Sequence, residues 1–274
     1  MLGKLLKHEL AVSARIIPIF YLAAAGMALL IFASSFLQLH IVSIFLCIPF
    51  VLICAGAPLG TYVVIAVRYH QSLFGREGYL TQTLPISKST LLLSRTLLAF
   101  FWLVCSLIVC FAGIFLLPSL LGLTSPTEIW ESLYDSLYAY GDELLLAPLA
   151  YTLLSMITQG VLSVSIIFFV ITFSNTRPFI KNNILFSIVW YLAFSTAISL
   201  VKMIAMLFLP LNLAVENGHL VLELRFMVSS MIESVQSGLA NTSMGLGGVI
   251  VDIIGIAVLF PLTNWMLKKK TSVR

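Results

Sequence analysis

Six long apolar stretches constrain this chain more than any other feature of its sequence. Crossing about 30 Å of bilayer hydrocarbon takes roughly 20 apolar residues, and each stretch is that long. Only 9% of the 274 residues are charged and 60% are hydrophobic, whereas a soluble domain carries about 25% charged residues. We therefore expect an all-α membrane protein with a single transmembrane domain over residues 1–274. The predicted spans lie near Ile16–Leu37, Ile41–Val67, Thr96–Leu121, Ala147–Phe173, Ile184–Leu209 and Leu246–Leu267.

The distribution of positive charge predicts that the N and C termini are both cytoplasmic. With the N-terminus inside, 13 of the 15 Lys and Arg residues fall in inner segments, and only Lys202 and Arg225 do not. Cytoplasmic loops of membrane proteins carry an excess of such residues. The net charge of +4 therefore reflects membrane topology, and we expect no nucleic-acid partner.

Residues 1–15 have the pattern of an amphipathic helix. Leu2, Leu6 and Leu10 share one helical face, and Lys4 lies elsewhere. A helix of this kind lies on the inner membrane surface. The alternative is a frayed basic tail.

The chain has two long outer loops, residues 122–146 and 210–245. In the first, Ser125 and Glu128 match a capping box that opens an aromatic-rich helix. Such a helix fits an interfacial belt or packing against the bundle. In the second, Asn217-Gly218 between alternating residues indicates a β-hairpin, whereas Leu222–Val235 has the pattern of a helix that dips into the outer leaflet. We favour the helix.

The cytoplasmic loop after the second span, residues 68–95, carries the most informative pattern. Four of its residues recur at helical spacing, namely Leu73, Glu77, Leu80 and Leu84. Pro85 ends this short helix, and Ser87 or Ser89 can cap the next helix, which runs into the third span. A short helix braced between two membrane helices can pass a rigid-body push from a partner into the bundle.

This loop resembles the permeases of type-two ABC exporters. The resemblance rests on Arg76-Glu77-Gly78-Tyr79-Leu80, Leu84-Pro85-Ile86-Ser87 and Arg95. The pattern in that family is an acid, a glycine and a leucine-containing helix, then Leu-Pro-Ile/Val-Ser, then a basic residue opening the third span. The first ten residues are also similar to the amphipathic entry helix of such permeases, particularly Gram-positive ones. The residue-level resemblance covers about 1–15 and 68–96, and the six-span topology covers the whole chain.

The resemblance implies that the chain lies in the lipid of a bacterial plasma membrane and works with protein partners. The loop between spans two and three would be a coupling helix, seated in a groove of a separate ABC ATPase subunit. Its candidate contact residues are Glu77, Gly78, Tyr79, Leu80 and Leu84. The alternative is that the leucines pack on the bundle and the acid is solvated. A second permease, identical or different, would complete an exporter for a hydrophobic or amphipathic peptide, lipid or drug.

The chain has no sequence signature of an enzyme. It lacks the G-x-x-x-x-G-K-[ST] phosphate loop, so we expect ATP and Mg²⁺ on the partner subunit and no cofactor here. His-Glu-x-x-His and Gly-x-Ser-x-Gly are absent, and the four cysteines lie in apolar stretches without a zinc pattern. We expect neither a catalytic residue nor a metal. The alternative functions are a membrane sensor, immunity or assembly protein, and a secondary transporter, although the spans lack the several acids of an ion relay.

Two charged residues, Lys202 and Asp252, lie inside predicted spans, towards the outer side. A charge at the bilayer centre costs roughly 2.5–3.5 kcal/mol on insertion scales. One interpretation is that Lys202 snorkels and Asp252 sits near the interface. The other is an ion pair in the outer part of the bundle, near a substrate exit.

Overall fold

The computed structural model of the chain describes residues 2–75, 87–138, 146–175, 183–216, 219–237 and 244–269. These residues are almost entirely helical, and the chain divides into two compact units, unit 1 (Met1–Asp135) and unit 2 (Ser136–Ser272). The helices are α1 (Leu2–Ser13), α2 (Ile17–Phe36), α3 (His40–Phe74), α4 (Lys88–Leu120), α5 (Pro126–Tyr138), α6 (Leu146–Ser174), α7 (Asn183–Phe208), α8 (Met227–Ser237) and α9 (Gly247–Lys269). The strands are β1 (Asn212–Glu216), β2 (His219–Glu223) and β3 (Met244–Gly245).

Six of the described helices, α2, α3, α4, α6, α7 and α9, are long and apolar enough to cross a membrane, which confirms the predicted number of spans. Large apolar side chains such as Phe36, Ile41 and Leu22 are exposed along them. Soluble proteins rarely expose apolar surfaces of this extent, whereas helices with their backbone hydrogen bonds satisfied internally are stable in lipid. The fold is therefore that of a multi-pass membrane protein.

Two of the spans extend well past the predicted boundaries at the same loop. The second was predicted to end at Val67, but α3 continues to Phe74; the third was predicted to begin at Thr96, but α4 begins at Lys88. The Ser87 side chain accepts a hydrogen bond from the Thr90 N–H at 3.2 Å, so Ser87, one of the two predicted caps, opens α4.

In unit 1, α2 packs against α3, α3 against α4, and α1 against α4. One apolar cluster joins α2 and α3 through Ile31, Phe50 and Cys54. A second joins the start of α2 to α4 through Ile17 and Trp102. Helix α5 opens with the predicted capping box, because the Ser125 and Glu128 side chains each accept a hydrogen bond from the other residue's N–H at 3.2 Å.

In unit 2, the spans α6, α7 and α9 all pack against one another, and the contact between α6 and α9 is the most extensive. The buried apolar residues of α6 form a cluster with α9, in which Leu162 and Phe169 of α6 lie with Leu259 and Met266. Phe194 of α7 packs edge-on against Phe169, with ring centroids 5.3 Å apart. The three spans of this unit therefore share one apolar core.

A small sheet in unit 2 departs from the all-helical prediction. Its strand order is β2-β1-β3, all antiparallel, and Glu216 pairs with His219 next to the Asn-Gly connection. The hairpin reading of residues 210–245 was therefore right for the first half of the loop. The predicted helix in the second half is also present, but its predicted start is wrong, because α8 begins at Met227 and not at Leu222. The predicted helix began too early because alternating residues in β2 also fit a helical face over a few positions.

Candidate functional site

The predicted coupling residues Glu77, Gly78, Tyr79, Leu80 and Leu84 lie outside the described residues. The structure does describe both ends of the segment that contains them. Leu73, predicted as the first residue of a separate short helix, belongs instead to the last turn of α3 and is buried. The described helices on either side of residues 76–86 are therefore the two membrane helices α3 and α4.

An ion pair joins α1 to α4 at the end of unit 1 that carries this segment. The Arg95 guanidinium lies 3.4 Å from a carboxylate oxygen of Glu9, and its side chain is only 5% exposed. The same guanidinium lies over the ring of Tyr69 on α3, 5.8 Å from its centroid. Losing either partner of such a buried pair leaves an uncompensated charge, which is strongly destabilising. Glu9 and Arg95 therefore hold α1 against α3 and α4.

Two hydrogen bonds reinforce this attachment. The indole N–H of buried Trp102 on α4 donates to the Ser13 hydroxyl at 2.8 Å, and Arg68 on α3 donates to the backbone carbonyl of Val12 at 3.2 Å. We call the three contacts together the α1 latch: Glu9–Arg95, Ser13–Trp102 and Val12–Arg68. A helix lying only on lipid would need none of them. The latch attaches α1 to both helices that flank residues 76–86.

A polar cluster lies deeper in unit 1, between α2, α3 and α4. The Ser106 hydroxyl is 2.7 Å from the Tyr21 hydroxyl and 2.6 Å from that of Thr61. Hydrogen bonds of this kind hold membrane helices together because lipid offers polar groups no partner. The cluster needs no further function to explain it.

In unit 2 the structure brings Lys202 and Asp252 together. The Lys202 ammonium lies 2.8 Å from an Asp252 carboxylate oxygen. Asp252 is 0% exposed, while the Lys202 side chain is 27% exposed. The ammonium therefore turns inward to its partner, and the geometry does not match a lysine that snorkels to the interface. Gly248 lies beside the lysine stem, where an added Cβ would come within 3.2 Å of it.

Two residues of α6 complete this cluster. The Thr158 hydroxyl donates to the Asp252 carboxylate at 3.2 Å, and Lys202 donates a second hydrogen bond to the Gln159 amide oxygen. The other Asp252 oxygen is buried and has no hydrogen-bond partner in the part of the chain that the structure describes. The cluster thus links α6, α7 and α9, with its negative charge inside and its lysine and amide at the edge.

Sequence analysis missed the partners in both units. Glu9, Ser13 and Trp102 gave no signal, because a pairing across 80 or more residues leaves no periodic pattern. Gln159 could have been found, since it is a large polar residue in the middle of an apolar span. Within the described ranges, no group of three or more His, Cys, Asp and Glu residues is arranged to hold a metal ion.

No protein-family model, curated protein or solved structure matches this chain.

Proposed function

We propose that this chain is the membrane-spanning permease subunit of an ATP-driven exporter in a bacterial plasma membrane. It would have both termini in the cytoplasm and move a hydrophobic or amphipathic substrate, such as a peptide, lipid or drug. A separate ABC ATPase subunit would bind ATP and Mg²⁺, and a second permease, identical or different, would complete the path. The proposal starts from the resemblance of residues 76–87 and Arg95 to such permeases.

One structural observation supports this proposal more than any other: the α1 latch joins the three helices around the proposed coupling segment. Residues 76–86 lie between α3 and α4 in the sequence, and α1 is attached to both helices through Arg68, Arg95 and Trp102. A push on the segment would therefore move three helices as one body. Closure of the ATPase on ATP would in this way shift the permease between inward-facing and outward-facing states.

The proposed contact surface is tested with charged substitutions in the coupling segment. The chain is purified together with an ABC ATPase encoded by a neighbouring reading frame, if its genome has one there, and ATPase stimulation and complex stability are measured. We expect Leu80→Asp and Leu84→Asp to weaken the complex at least about tenfold, since a buried anchor contributes 1.4 kcal/mol or more. Leu123→Asp, the same change in the predicted outer loop, should have no effect.

An unchanged complex with full ATPase stimulation in both variants would contradict the assignment of the coupling segment. Failure of the unmodified chain to bind any ATPase would contradict the proposed function itself. That second result would favour a sensor, immunity or assembly protein built on the same six spans, or a secondary transporter.

A further inference from the structure

A stripe of polar residues runs along one face of α6 within its membrane span. Its members recur at i, i+3, i+7 and i+11, so at 100° per residue they share an arc of about 80°. They are Thr152, Ser155, Gln159 and Ser163. The hydroxyls of Ser155 and Ser163 donate to backbone carbonyls of their own helix, as is usual for serine in membrane helices. Gln159, at the centre of the stripe, cannot be satisfied in that way.

Helix α7 runs antiparallel beside this stripe and adds Lys202 to it. The hydroxyls of Ser174 and Ser187 lie 2.6 Å apart at one end of the pair of helices, and Lys202 meets Gln159 towards the other. Fifteen residues separate the two contacts on each helix, about 22 Å along the axis. Lys202 is thus held at the polar stripe by a long and regular helix pairing. We call the four stripe residues and Lys202 the donor patch.

Lys202 and Gln159, at the centre of the donor patch, are its source of hydrogen-bond donors. Lys202 has three N–H donors, of which Asp252 and Gln159 take two. The Gln159 amide oxygen faces the ammonium. Among the described residues the two Gln159 N–H groups have no acceptor, so they remain for another partner at the exposed edge of unit 2. Asp252 and Thr158 are buried behind them. The outer edge of the patch is therefore electropositive, although the ion pair as a whole is neutral.

Neither lipid tails nor a second copy of the chain suits this edge. Hydrocarbon offers no acceptor, so exposed donors at membrane depth are costly. In a two-fold symmetric dimer centred here, the second copy would present the same donors, because such an interface brings the same surface patch of both subunits together. Two Lys202 ammonium groups would then meet. A partner that carries acceptors and negative charge fits better.

We propose that the donor patch binds the acidic head group, a carboxylate or phosphate, of an amphipathic molecule. The head group would accept hydrogen bonds from Lys202 and Gln159, each strengthened by charge. The apolar tail would lie on the lipid-facing surface of α6 beside Met156, which is exposed. If the molecule is cargo, this inference rests on the proposed function and narrows its substrate class. A membrane phospholipid offers the same chemistry.

The test measures binding of radiolabelled dodecanoate to the full-length chain in phosphatidylcholine nanodiscs. Dodecanol, with the same tail and a neutral head, is the matched ligand. We expect the chain to bind dodecanoate about tenfold tighter, since a hydrogen bond to a charged group contributes about 1.4 kcal/mol or more. Gln159→Leu should remove this preference, and so should the charge-free double variant Lys202→Met with Asp252→Asn. Gln236→Leu, the same change on α8, should keep it.

Equal binding of the two ligands by the unmodified chain would overturn the inference. The Gln159→Leu variant gives a second test. If it kept the preference for dodecanoate but changed the fraction of cross-linked dimer, the donor patch would be a helix-packing surface and the inference would be overturned. Nanodiscs that contain phosphatidylglycerol separate the two sources of the head group. Loss of dodecanoate binding there identifies a membrane phospholipid as the occupant, and unchanged binding identifies a free amphiphile.

These measurements need no ATPase. Loss of the dodecanoate preference with intact ATPase coupling would contradict the donor patch alone. A chain that binds dodecanoate selectively but no ATPase would contradict the proposed function alone.

Discussion

Substitutions at Lys202 and Asp252 test whether these two charges stabilise each other. Lys202→Met leaves the fully buried Asp252 carboxylate with the 3.2 Å hydrogen bond from Thr158 as its remaining described contact. Removing one partner of a buried ion pair costs about 3–5 kcal/mol. Asp252→Asn keeps an acceptor oxygen and leaves the unpaired charge on a lysine that is 27% exposed and still bonded to Gln159. We expect that loss to be about 1–3 kcal/mol.

The double variant, Lys202→Met with Asp252→Asn, tests this coupling directly, because it leaves neither charge unpaired. We expect the double variant to lose at least about 1.5 kcal/mol less unfolding free energy than the sum of the two single losses. The free energy of unfolding is measured by titrating the full-length chain in mixed micelles with dodecyl sulfate and following circular dichroism. Val201→Met, at an exposed neighbour of Lys202, should change it by less than about 0.5 kcal/mol. Single losses that add within about 0.5 kcal/mol would refute the coupling.

Two further predictions concern the α1 latch and the contact of α7 with α9. Glu9→Gln removes the charge partner of buried Arg95, so the hydrogen-exchange rate of the α1 amides should rise about tenfold. Lys7→Gln, at an exposed position of the same helix, should leave that rate unchanged. Equal exchange rates in the two variants would contradict the α1 latch. Gly247→Ala places a Cβ against the backbone oxygen of Ala205 on α7 and should lower the free energy of unfolding by about 1–3 kcal/mol. Gly26→Ala meets open space and should raise the free energy of unfolding or leave it unchanged.

Those features that a local pattern determines could be predicted from the sequence. Six apolar runs gave six spanning helices because each run alone must bury its backbone polar groups in lipid. The capping box at Ser125 and Glu128 formed because its partners lie three residues apart. The same holds for the hairpin of β1 and β2, whose two-residue connection is Asn-Gly. In each case the interacting residues are close in sequence.

The side-chain contacts between helices could be predicted only where an unusual residue pointed to them. Lys202 and Asp252 were found because charge is rare in a span. Trp102 and Ser13 were not found, because a buried tryptophan in an apolar helix looks like any other core residue. Gln159 is itself unusual in a span and could have been noticed, but its contact with Lys202 depends on α6 and α7 packing in one particular register, which no local pattern specifies.

A buried ion pair is weak evidence for stability by itself, because well-packed apolar residues of similar volume often stabilise a fold equally well or better. Unit 2 already joins α6 to α9 through Leu162 and Leu259, so packing does not require a lysine here. Apolar residues cannot supply fixed N–H donors at membrane depth. If the double variant of Lys202 and Asp252 keeps its stability but loses its preference for dodecanoate, the pair acts in binding. If it loses most of its stability, the pair acts in holding the three helices together, and Gln159→Leu alone then tests the donor patch.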